Sequence, residues 1–412
     1  LYQGQRISGI HVTADRTEQI DIKLAPDERS VQQVVVEAKA DTRKEAALLA
    51  ERKRSAQVQD SISAQEMSRT PDSNAGDAVK RVVSATIVDG KYVFLRGLGG
   101  RYAQTLLNGA VMPSPEPDEP SAPLDLFPVA LVSNLNVLKT YSPDFPGNFG
   151  GGTLTIETNT FPSSLEVKAR AQLSGDTQTT FRSRPNEPSA AIEQFGFRSA
   201  NRNLPTEFSR EKPMRIENDP SRGVSAKELE AAGESLVNRW TPGEVNALPS
   251  GTFGVQVGDR LGFSGGRKLG YLVAAQVSRR ELTRRIQFQD TTMVDGQLVG
   301  VNQTSTLVGQ VSGATSALAN VGLQLGPNHE LSLLSLALFN SETSATHAEG
   351  EDFLAMQKQV NDRLQFTQRQ LFFEQLRGSH RLTNVGFDVD WQASYGRVDR
   401  SDPDIRDTRY FL

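Results

Sequence analysis

The sequence predicts a mixed α+β region followed by antiparallel strands of an incomplete transmembrane β-barrel, with a short β-sandwich remnant in front of both. Three observations lead to this prediction. Apolar and polar residues alternate in several runs beyond Pro162, the connections between these runs differ in length, and the elements between about 56 and 160 are short and of mixed type. A period of two indicates strands that have one apolar and one polar face.

The alternating runs mark the predicted strands. Their apolar positions are, run by run, Leu165, Val167, Ala169, Ala171 and Leu173; Phe253, Val255, Val257, Leu261 and Phe263; Tyr271, Val273, Ala275 and Val277; Ala317, Ala319, Val321, Leu323 and Leu325; and Val385, Phe387, Val389, Trp391, Ala393 and Tyr395. A soluble β-sandwich would alternate in the same way, so the period alone leaves both architectures open.

The connections between the runs favour the barrel. The predicted tight joints are 264–266, 326–328 and 377–379, and the predicted long, polar connections are about 175–250, 290–313 and 345–362. Short turns at one end and long loops at the other are typical of an outer-membrane barrel. The polar strand faces also suit a water-filled lumen better than a dry sandwich core, because they carry Glu166, Lys168, Arg170, Asp388 and Asp390.

Composition excludes several classes of function. The 412 residues include 45 basic and 49 acidic side chains, and the net charge of -4 argues against a nucleic-acid groove. Cysteine is absent, which removes disulfides, thiolate nucleophiles and zinc ribbons. A mean hydropathy of -0.43 and the lack of a long apolar window exclude a helical membrane span.

Catalytic and cofactor motifs are also missing from the sequence. The four histidines, His11, His329, His347 and His380, lie far apart and lack metal-ligand spacing. The glycine-rich run 97–102 lacks the third glycine of a dinucleotide-binding loop, no GK[ST] follows it, and no GxSxG occurs. We therefore expect no catalytic residue, no metal and no cofactor, and we interpret the chain as a non-enzyme.

The chain divides into four predicted segments. Residues 1–30 carry two short alternating runs and are expected to end a small β-sandwich domain, and 31–55 combine a β-prone island with a solvated helix or linker. Residues 56–160 form the α+β region, and 163–412 hold seven or eight strands. Because the sequence starts without methionine and stops in mid-pattern, we expect an internal piece of a longer chain.

Local signals place short elements inside the α+β region. Ser63 and Glu66 have the spacing of a capping box, and Asn74 precedes Asp77 by three residues, so two short helices are predicted. The dipeptide Asn108-Gly109 predicts a tight turn after a strand.

Several blocks of the sequence resemble one known family. The run LRGLGGRYAQTLLNG at 95–109 is followed by PLDLFP at 123–128, by NLNVLKTYSPDFPGNFGGGTLTIETN at 134–159, and then by alternating strands. This order resembles the plug and first barrel strands of TonB-dependent outer-membrane receptors, and the preceding hairpin resembles the end of a carboxypeptidase-regulatory-like domain. The resemblance implies a barrel of about 22 strands, most of which would lie outside this chain.

The resemblance also implies candidate site residues. The TonB box, which is offered to the energy-transducing partner, would be Val34, Val35, Val36 and Glu37, although a last strand of the preceding domain is the alternative for this segment. The latch between plug and barrel would involve Arg96 and Lys139, facing glutamates of the barrel wall, although a surface arginine that pairs with nearby carboxylates is the alternative for Arg96. The ligand-facing plug apex would include Asp89, Lys91, Glu116, Asp118 and Glu119, for which a solvated acidic loop is the alternative.

The function implied by this resemblance is active import across the outer membrane of a Gram-negative-type bacterium. The expected partners are a TonB-type energy-transducing protein, outer-membrane lipid and an unknown small ligand, with no nucleic acid. The plug and the N-terminus would lie in the periplasm. A surface-binding or adhesive barrel without transport is the alternative, and a soluble multi-domain β protein is a third possibility.

Overall fold

The computed structural model describes most of the chain from residue 44 onward. The described residues are 44–55, 57–70, 72–88, 90–115, 122–141, 143, 147, 150–208, 214–215, 223–352, 357–383 and 386–411. The predicted β-sandwich remnant at 1–30 lies outside them, as do Val34, Val35, Val36 and Glu37. No helix in the described ranges is long and apolar enough to cross a membrane.

Residues 44–159 form an α+β domain. Its helices are α1 (Glu45–Arg54), α2 (Ala64–Ser68) and α3 (Ala75–Val79), and its strands are β1 (Gln59–Ser63), β2 (Ala85–Val88), β3 (Tyr92–Leu95), β4 (Ala103–Leu107), β5 (Ala110–Val111), β6 (Val132–Leu138) and β7 (Gly152–Thr158). Five strands pair in the order β1-β6-β7-β4-β5, with β4 parallel to β7, while β2 and β3 form a separate hairpin. The buried strand β7 therefore lies at the centre of the larger sheet, between β6 and β4.

The two predicted short helices are confirmed, together with their caps. The Ser63 hydroxyl accepts a hydrogen bond from the backbone N–H of Glu66 at 3.1 Å, and the Asn74 side chain accepts from that of Asp77 at 2.9 Å. Each cap satisfies a donor of the first helical turn that has no partner inside the helix. The Asn108-Gly109 turn is also present, because both residues have positive φ and join β4 to β5.

Residues 166–411 form a second body around one antiparallel sheet, which we call the wall. Its seven strands are β8 (Glu166–Ser174), β11 (Ser250–Phe263), β12 (Arg267–Val294), β13 (Gln297–Gln324), β14 (His329–Asp352), β15 (Gln357–Leu382) and β16 (Phe387–Phe411). Their order in the sheet is β16-β15-β14-β13-β12-β11-β8, and every neighbouring pair is antiparallel. Because β16 and β8 do not pair, the sheet is open, as expected for an incomplete barrel.

The two faces of the wall have different neighbours. The inner face packs on the α+β domain through Leu272, Leu318, Leu336 and Phe373. The opposite, outer face carries exposed apolar side chains on the part of the sheet nearer the short turns. We call this part the apolar belt, and its exposed residues include Val167, Phe253, Val255, Val257, Val273, Val321, Leu323, Leu333, Phe372, Leu376, Val389, Trp391 and Tyr395.

Two of the predicted long loops are wrong. Residues 290–313 and 345–362 lie mostly within strands, since β12 reaches Val294, β13 starts at Gln297 and β14 reaches Asp352. Strands β12 to β16 are 24 to 28 residues long, whereas a tilted strand needs about 9–11 residues to cross a bilayer. The polar residues that looked like loops are therefore paired strand extensions beyond the apolar belt.

The predicted joint at 377–379 is also wrong. These residues lie inside β15, which ends at Leu382, and β16 starts at Phe387, directly after Gly386 with a φ of 71°. The glycine at 378 serves side-chain packing, because a Cβ there would lie 2.4 Å from the Trp391 ring. The tight joints at 264–266 and 326–328 are confirmed by positive φ at Gly265 and Gly326.

The described residues of the long connection at 175–249 include regular elements, and we call these described residues the excursion. It contains β9 (Ser183–Asn186), α4 (Ala226–Ser235), β10 (Gly243–Asn246) and the 3-10 helices Ala191–Phe195 and Ala200–Arg202. It packs on the outer face of the wall beyond the apolar belt, where Arg184 pairs with Glu281 at 2.7 Å. The predicted connection at 175–250 therefore exists, although it is a folded element rather than a plain loop.

Candidate functional site

The contact between the α+β domain and the inner face of the wall is the candidate functional site. Its centre is apolar, because leucines of β14 at 334, 336 and 338 join the same buried cluster as Leu124, Leu126 and Phe127 of the domain. The sequence predicted a polar inner face, and this holds for Glu166 and Lys168 on β8 but not for β14. The wall is apolar where the domain covers it and polar where it does not.

Phe161 packs between the end of the domain and the wall. A Cβ at Gly270 would lie 2.2 Å from the Phe161 ring, and one at Gly322 would lie equally close. These two positions are neighbours across β12 and β13. The paired glycines therefore form a shallow groove that holds the aromatic ring.

Beyond this apolar centre, Lys91 of the domain reaches the wall. Its Nζ lies 2.7 Å from Glu342 Oε2, and only 15% and 18% of the two side chains are exposed. Lys91 sits in the turn of the β2–β3 hairpin, which aims it at β14. The resemblance placed Lys91 at a ligand-facing apex, and the structure engages its ammonium group in an ion pair with the wall.

A second ion pair lies beside the first. Asp125 of the domain meets Arg369 of β15 at 3.3 Å, and we call Lys91, Asp125, Glu342 and Arg369 the charge cluster. Burial raises the pKa of Asp125 above its ordinary value, although the charges of Arg369 and Lys91 oppose this shift. Asp125 Oδ1 and Arg369 Nε are buried and have no hydrogen-bond partner among the described residues. The cluster is thus shielded from water but incompletely satisfied.

Nearer the short turns, the wall holds the Asn108-Gly109 turn of the domain by its backbone. Side chains of Gln375 and Arg377 both donate to the Asn108 carbonyl, the first at 3.3 Å. Burial raises the pKa of Glu157, on β7, above its ordinary value. The positive charge of the nearby Arg377 opposes this shift. The wall therefore binds the domain through direct hydrogen bonds at one level and ion pairs at another.

The predicted latch residues lie at the other end of β3 from Lys91. Arg96 Nη1 donates to the backbone carbonyl of Lys139 at 3.1 Å, so the two residues lie side by side. Lys139 pairs with Asp60 of β1, which also meets Arg52 of α1 at 2.8 Å. The carboxylate at this location belongs to the domain itself and holds its edge strand β1.

The other predicted site residues fall outside the described ranges. These are Asp89, Glu116, Asp118 and Glu119 of the predicted apex. No group of three or more His, Cys, Asp or Glu side chains able to hold a metal occurs within the described ranges.

The wall partners Glu342 and Arg369, and Asp125 of the domain, were not singled out from the sequence. A signal for Glu342 was present in the alternation of inward-facing and outward-facing positions along β14. Glu342 shares the inward phase of Leu336 and Leu338, and a charge in that phase beside apolar residues indicates a buried partner.

Comparison with known proteins identifies the domain more specifically. Residues 51–153 match the family model described as the TonB-dependent receptor plug domain. No curated protein matches the chain. Solved structures with similarity to it include a ferric enterobactin receptor, a ferric citrate transporter and a hemophore receptor.

The first is a mutant of the ferric enterobactin receptor from Pseudomonas aeruginosa, which is 8% identical, with 84% of this chain and 50% of that chain covered at a TM-score of 0.34. The second is the unliganded ferric citrate transporter FecA, which is 9% identical. There 85% of this chain and 61% of that chain are covered, at a TM-score of 0.35. The third is a double mutant of the Serratia marcescens hemophore receptor HasR in complex with its hemophore and heme, which is 11% identical. There 84% of this chain and 60% of that chain are covered, at a TM-score of 0.28. The chain thus spans 50% to 61% of their lengths, and at such low TM-scores their ligands carry no weight for this chain.

Proposed function

Because residues 51–153 belong to the plug domain family of TonB-dependent receptors, we propose that the chain is part of an outer-membrane receptor that imports a scarce ligand. A TonB-type protein in the periplasm supplies the energy. The observation that supports this most strongly is the seating of the domain on the inner face of the wall by apolar contacts, hydrogen bonds and the charge cluster.

In this proposal the apolar belt faces the hydrocarbon of the membrane. Outward valine, leucine and aromatic side chains on neighbouring strands fit acyl chains, as in other membrane-spanning sheets. The strand extensions and the excursion project beyond the lipid on the side opposite the short turns. Those turns would face the periplasm.

The seated domain closes the passage and must be displaced for import. Separating Lys91 from Glu342 removes their attraction, although water that then reaches both charges offsets much of this loss. Exposing the leucines of β14 adds a cost of about 25 cal/mol per Å² of apolar surface. Thermal motion alone opens such a contact rarely, so import requires work from a partner.

The proposed point of attachment for that partner is the segment Val34, Val35, Val36 and Glu37. A β-prone segment can add a strand to a partner's sheet through main-chain hydrogen bonds. The first strand that follows it, β1, is an edge strand that pairs only with β6 in the described sheet. A pull from the N-terminal side therefore reaches α1 first and then β1, whose Asp60 is held by Arg52 of α1 and by Lys139.

Arg96 and Lys139 remain the proposed latch, with the exposed Arg96 side chain available to acidic groups of a complete barrel. The proposed ligand contacts are Asp89, Glu116, Asp118 and Glu119, which could bind a cationic or hydroxylated ligand from outside. If alanine at 116, 118 and 119 leaves the affinity for the ligand unchanged, that contact is wrong.

Energy coupling is tested by deleting 34–37 from the full-length receptor and measuring ligand uptake and ligand binding by whole cells. We expect uptake to be lost while surface binding is retained. Deletion of 38–41 shortens the linker by the same length and is the matched control, which should keep uptake. Unchanged uptake after deletion of 34–37 would favour a surface-binding barrel that does not use the partner.

A further inference from the structure

The first 3-10 helix of the excursion, Ala191–Phe195, exposes two large apolar side chains side by side. Residues three apart eclipse each other in a 3-10 helix, so Ile192 and Phe195 share one face. Each is 49% exposed. In water such a pair has an unfavourable hydration cost, which raises the question of what covers it.

The opposite side of this helix is fixed on the wall. Ser341 donates to the Glu193 carbonyl, and Thr315 Oγ1 donates to the Phe195 carbonyl at 2.7 Å. The helix ends at Gly196, where φ is 92° and a Cβ would lie 2.6 Å from the Phe339 carbonyl oxygen. The backbone therefore lies directly on β13 and β14.

A buried ionic centre holds the same segment in place. Arg202 binds both carboxylate oxygens of Glu193 at 3.0 Å, pairs with Glu187, and reaches Asp404 of β16 at 3.0 Å. Its guanidinium also lies 4.8 Å from the centroid of the Phe366 ring on β15. With this much fixation, the exposed pair is held at one height along the wall.

That height is the far edge of the apolar belt. Thr315 pairs with Val277, a belt position on β12. Phe197, just after the helix, contacts Phe339 with ring centroids 4.8 Å apart, and Phe339 contacts Phe372 of the belt at 5.4 Å. The segment that carries the exposed pair is thus joined through Phe197 and Phe339 to the surface that faces lipid in the proposed function.

We propose that Ile192 and Phe195 insert at the lipid–water boundary of the membrane that the wall crosses, so that the excursion is a membrane-interface element as well as an extramembrane one. The inference rests on the proposed function for the orientation of the belt. Apolar and aromatic side chains held at the level where hydrocarbon gives way to headgroups are stabilised by partial burial in lipid.

Depth-dependent fluorescence quenching tests this directly. The 412 residues contain no cysteine, so Ile192→Cys or Phe195→Cys provides a single labelling site in this region. Each variant of the full-length receptor is labelled with an environment-sensitive fluorophore and reconstituted, one copy per nanodisc, with lipids that carry a nitroxide either near the headgroup or deep in the acyl chain. Val321→Cys in the belt is the positive control, and Leu298→Cys, exposed near the far hairpin of β12 and β13, is the negative control.

We expect labels at 192 and 195 to be quenched at least about twofold by the shallow nitroxide and less by the deep one, as interfacial side chains are. The label at 321 should respond to both and the label at 298 to neither. Labels at 192 and 195 that behave like the label at 298 would overturn the proposal while leaving the proposed function intact. Labels at 192 and 195 that are shielded from water but quenched by neither nitroxide would indicate a protein contact, which would overturn the proposal too. An unquenched label at 321 would overturn the proposed function.

Discussion

Substitutions of Lys91 and Glu342 test, at single residues, the ionic part of the contact between the domain and the wall. We predict that Lys91→Met or Glu342→Gln each destabilises the seated domain, and that a double-mutant cycle gives a coupling of about 1–3 kcal/mol because the pair is largely buried. The measurement is protection of the domain against hydrogen exchange in the full-length receptor.

The control for this cycle is the Lys80–Asp77 pair, whose lysine side chain is 50% exposed. Lys80→Met should change protection by less than about 0.5 kcal/mol, as expected for a surface pair. The charge swap Lys91→Glu with Glu342→Lys should restore part of the loss. A cycle with no coupling would show that the contact does not hold the domain.

Asp125 gives a pH prediction. Burial raises its pKa in the folded state, so in the range from its ordinary pKa up to the raised one the folded protein binds more protons than the unfolded protein. Stability contributed by Asp125 therefore falls as pH rises through this range. Relative to Asp125→Asn, the wild type should lose stability as pH rises above about 4, the ordinary pKa of an aspartate, measured as hydrogen-exchange protection of the domain.

Asp77 provides the opposite sign as a control. Burial alone would raise its pKa, but hydrogen bonds from Lys80 and Ser73 lower it. Its contribution is present above the ordinary pKa and is lost as pH falls through the lowered one. The stability of the wild type relative to Asp77→Asn should therefore increase as pH rises. If the wild type changes in stability with pH by the same amount relative to Asp125→Asn and to Asp77→Asn, both assignments are contradicted.

At the level of elements, the groove for Phe161 makes the fit between domain and wall testable. Gly322→Ala would place a methyl group against the Phe161 ring, and we predict a loss of about 1–3 kcal/mol in stability from overpacking. Thermal unfolding of the full-length receptor in detergent measures it.

Gly262→Ala is the matched control for Gly322→Ala, because it lies on the same sheet with no atom within 4 Å of the added Cβ. Combining Gly322→Ala with Phe161→Leu should recover part of the loss. If Gly322→Ala and Gly262→Ala melt alike, Phe161 does not seat in this groove.

Element boundaries also show where sequence reasoning stopped. The alternation at 317–325 and 387–395 predicted strands correctly, because one face of these strands carries exposed apolar side chains and the other is polar or contacts the domain. Beyond the belt the outward residues become polar, as at Arg279 and Glu281, and the period disappears from a hydropathy pattern although pairing continues. How far a strand stays paired depends on the neighbouring strand. The hydropathy pattern of a single run contains no information about that neighbour.

At the scale of the whole molecule, the order of the domain and the wall was predictable and the contact between them was not. Caps such as Ser63 and turns such as Asn108-Gly109 depend on local chemistry, so their positions follow from a few adjacent residues. The Lys91–Glu342 pair joins residues 251 positions apart, and only the fold brings them together. The same holds for Asp125 and Arg369, whose side chains carry no local mark of their partners.

The most direct test of plug displacement locks the α+β domain to the wall. In the full-length receptor, Lys91→Cys and Glu342→Cys would be joined by a reducible thiol cross-linker, with each single variant treated alike as control. If import requires the domain to leave its seat, the cross-linked receptor should bind ligand at the cell surface but take none up, and reduction should restore uptake. Uptake that continues at the same rate while the domain is locked would contradict this mechanism.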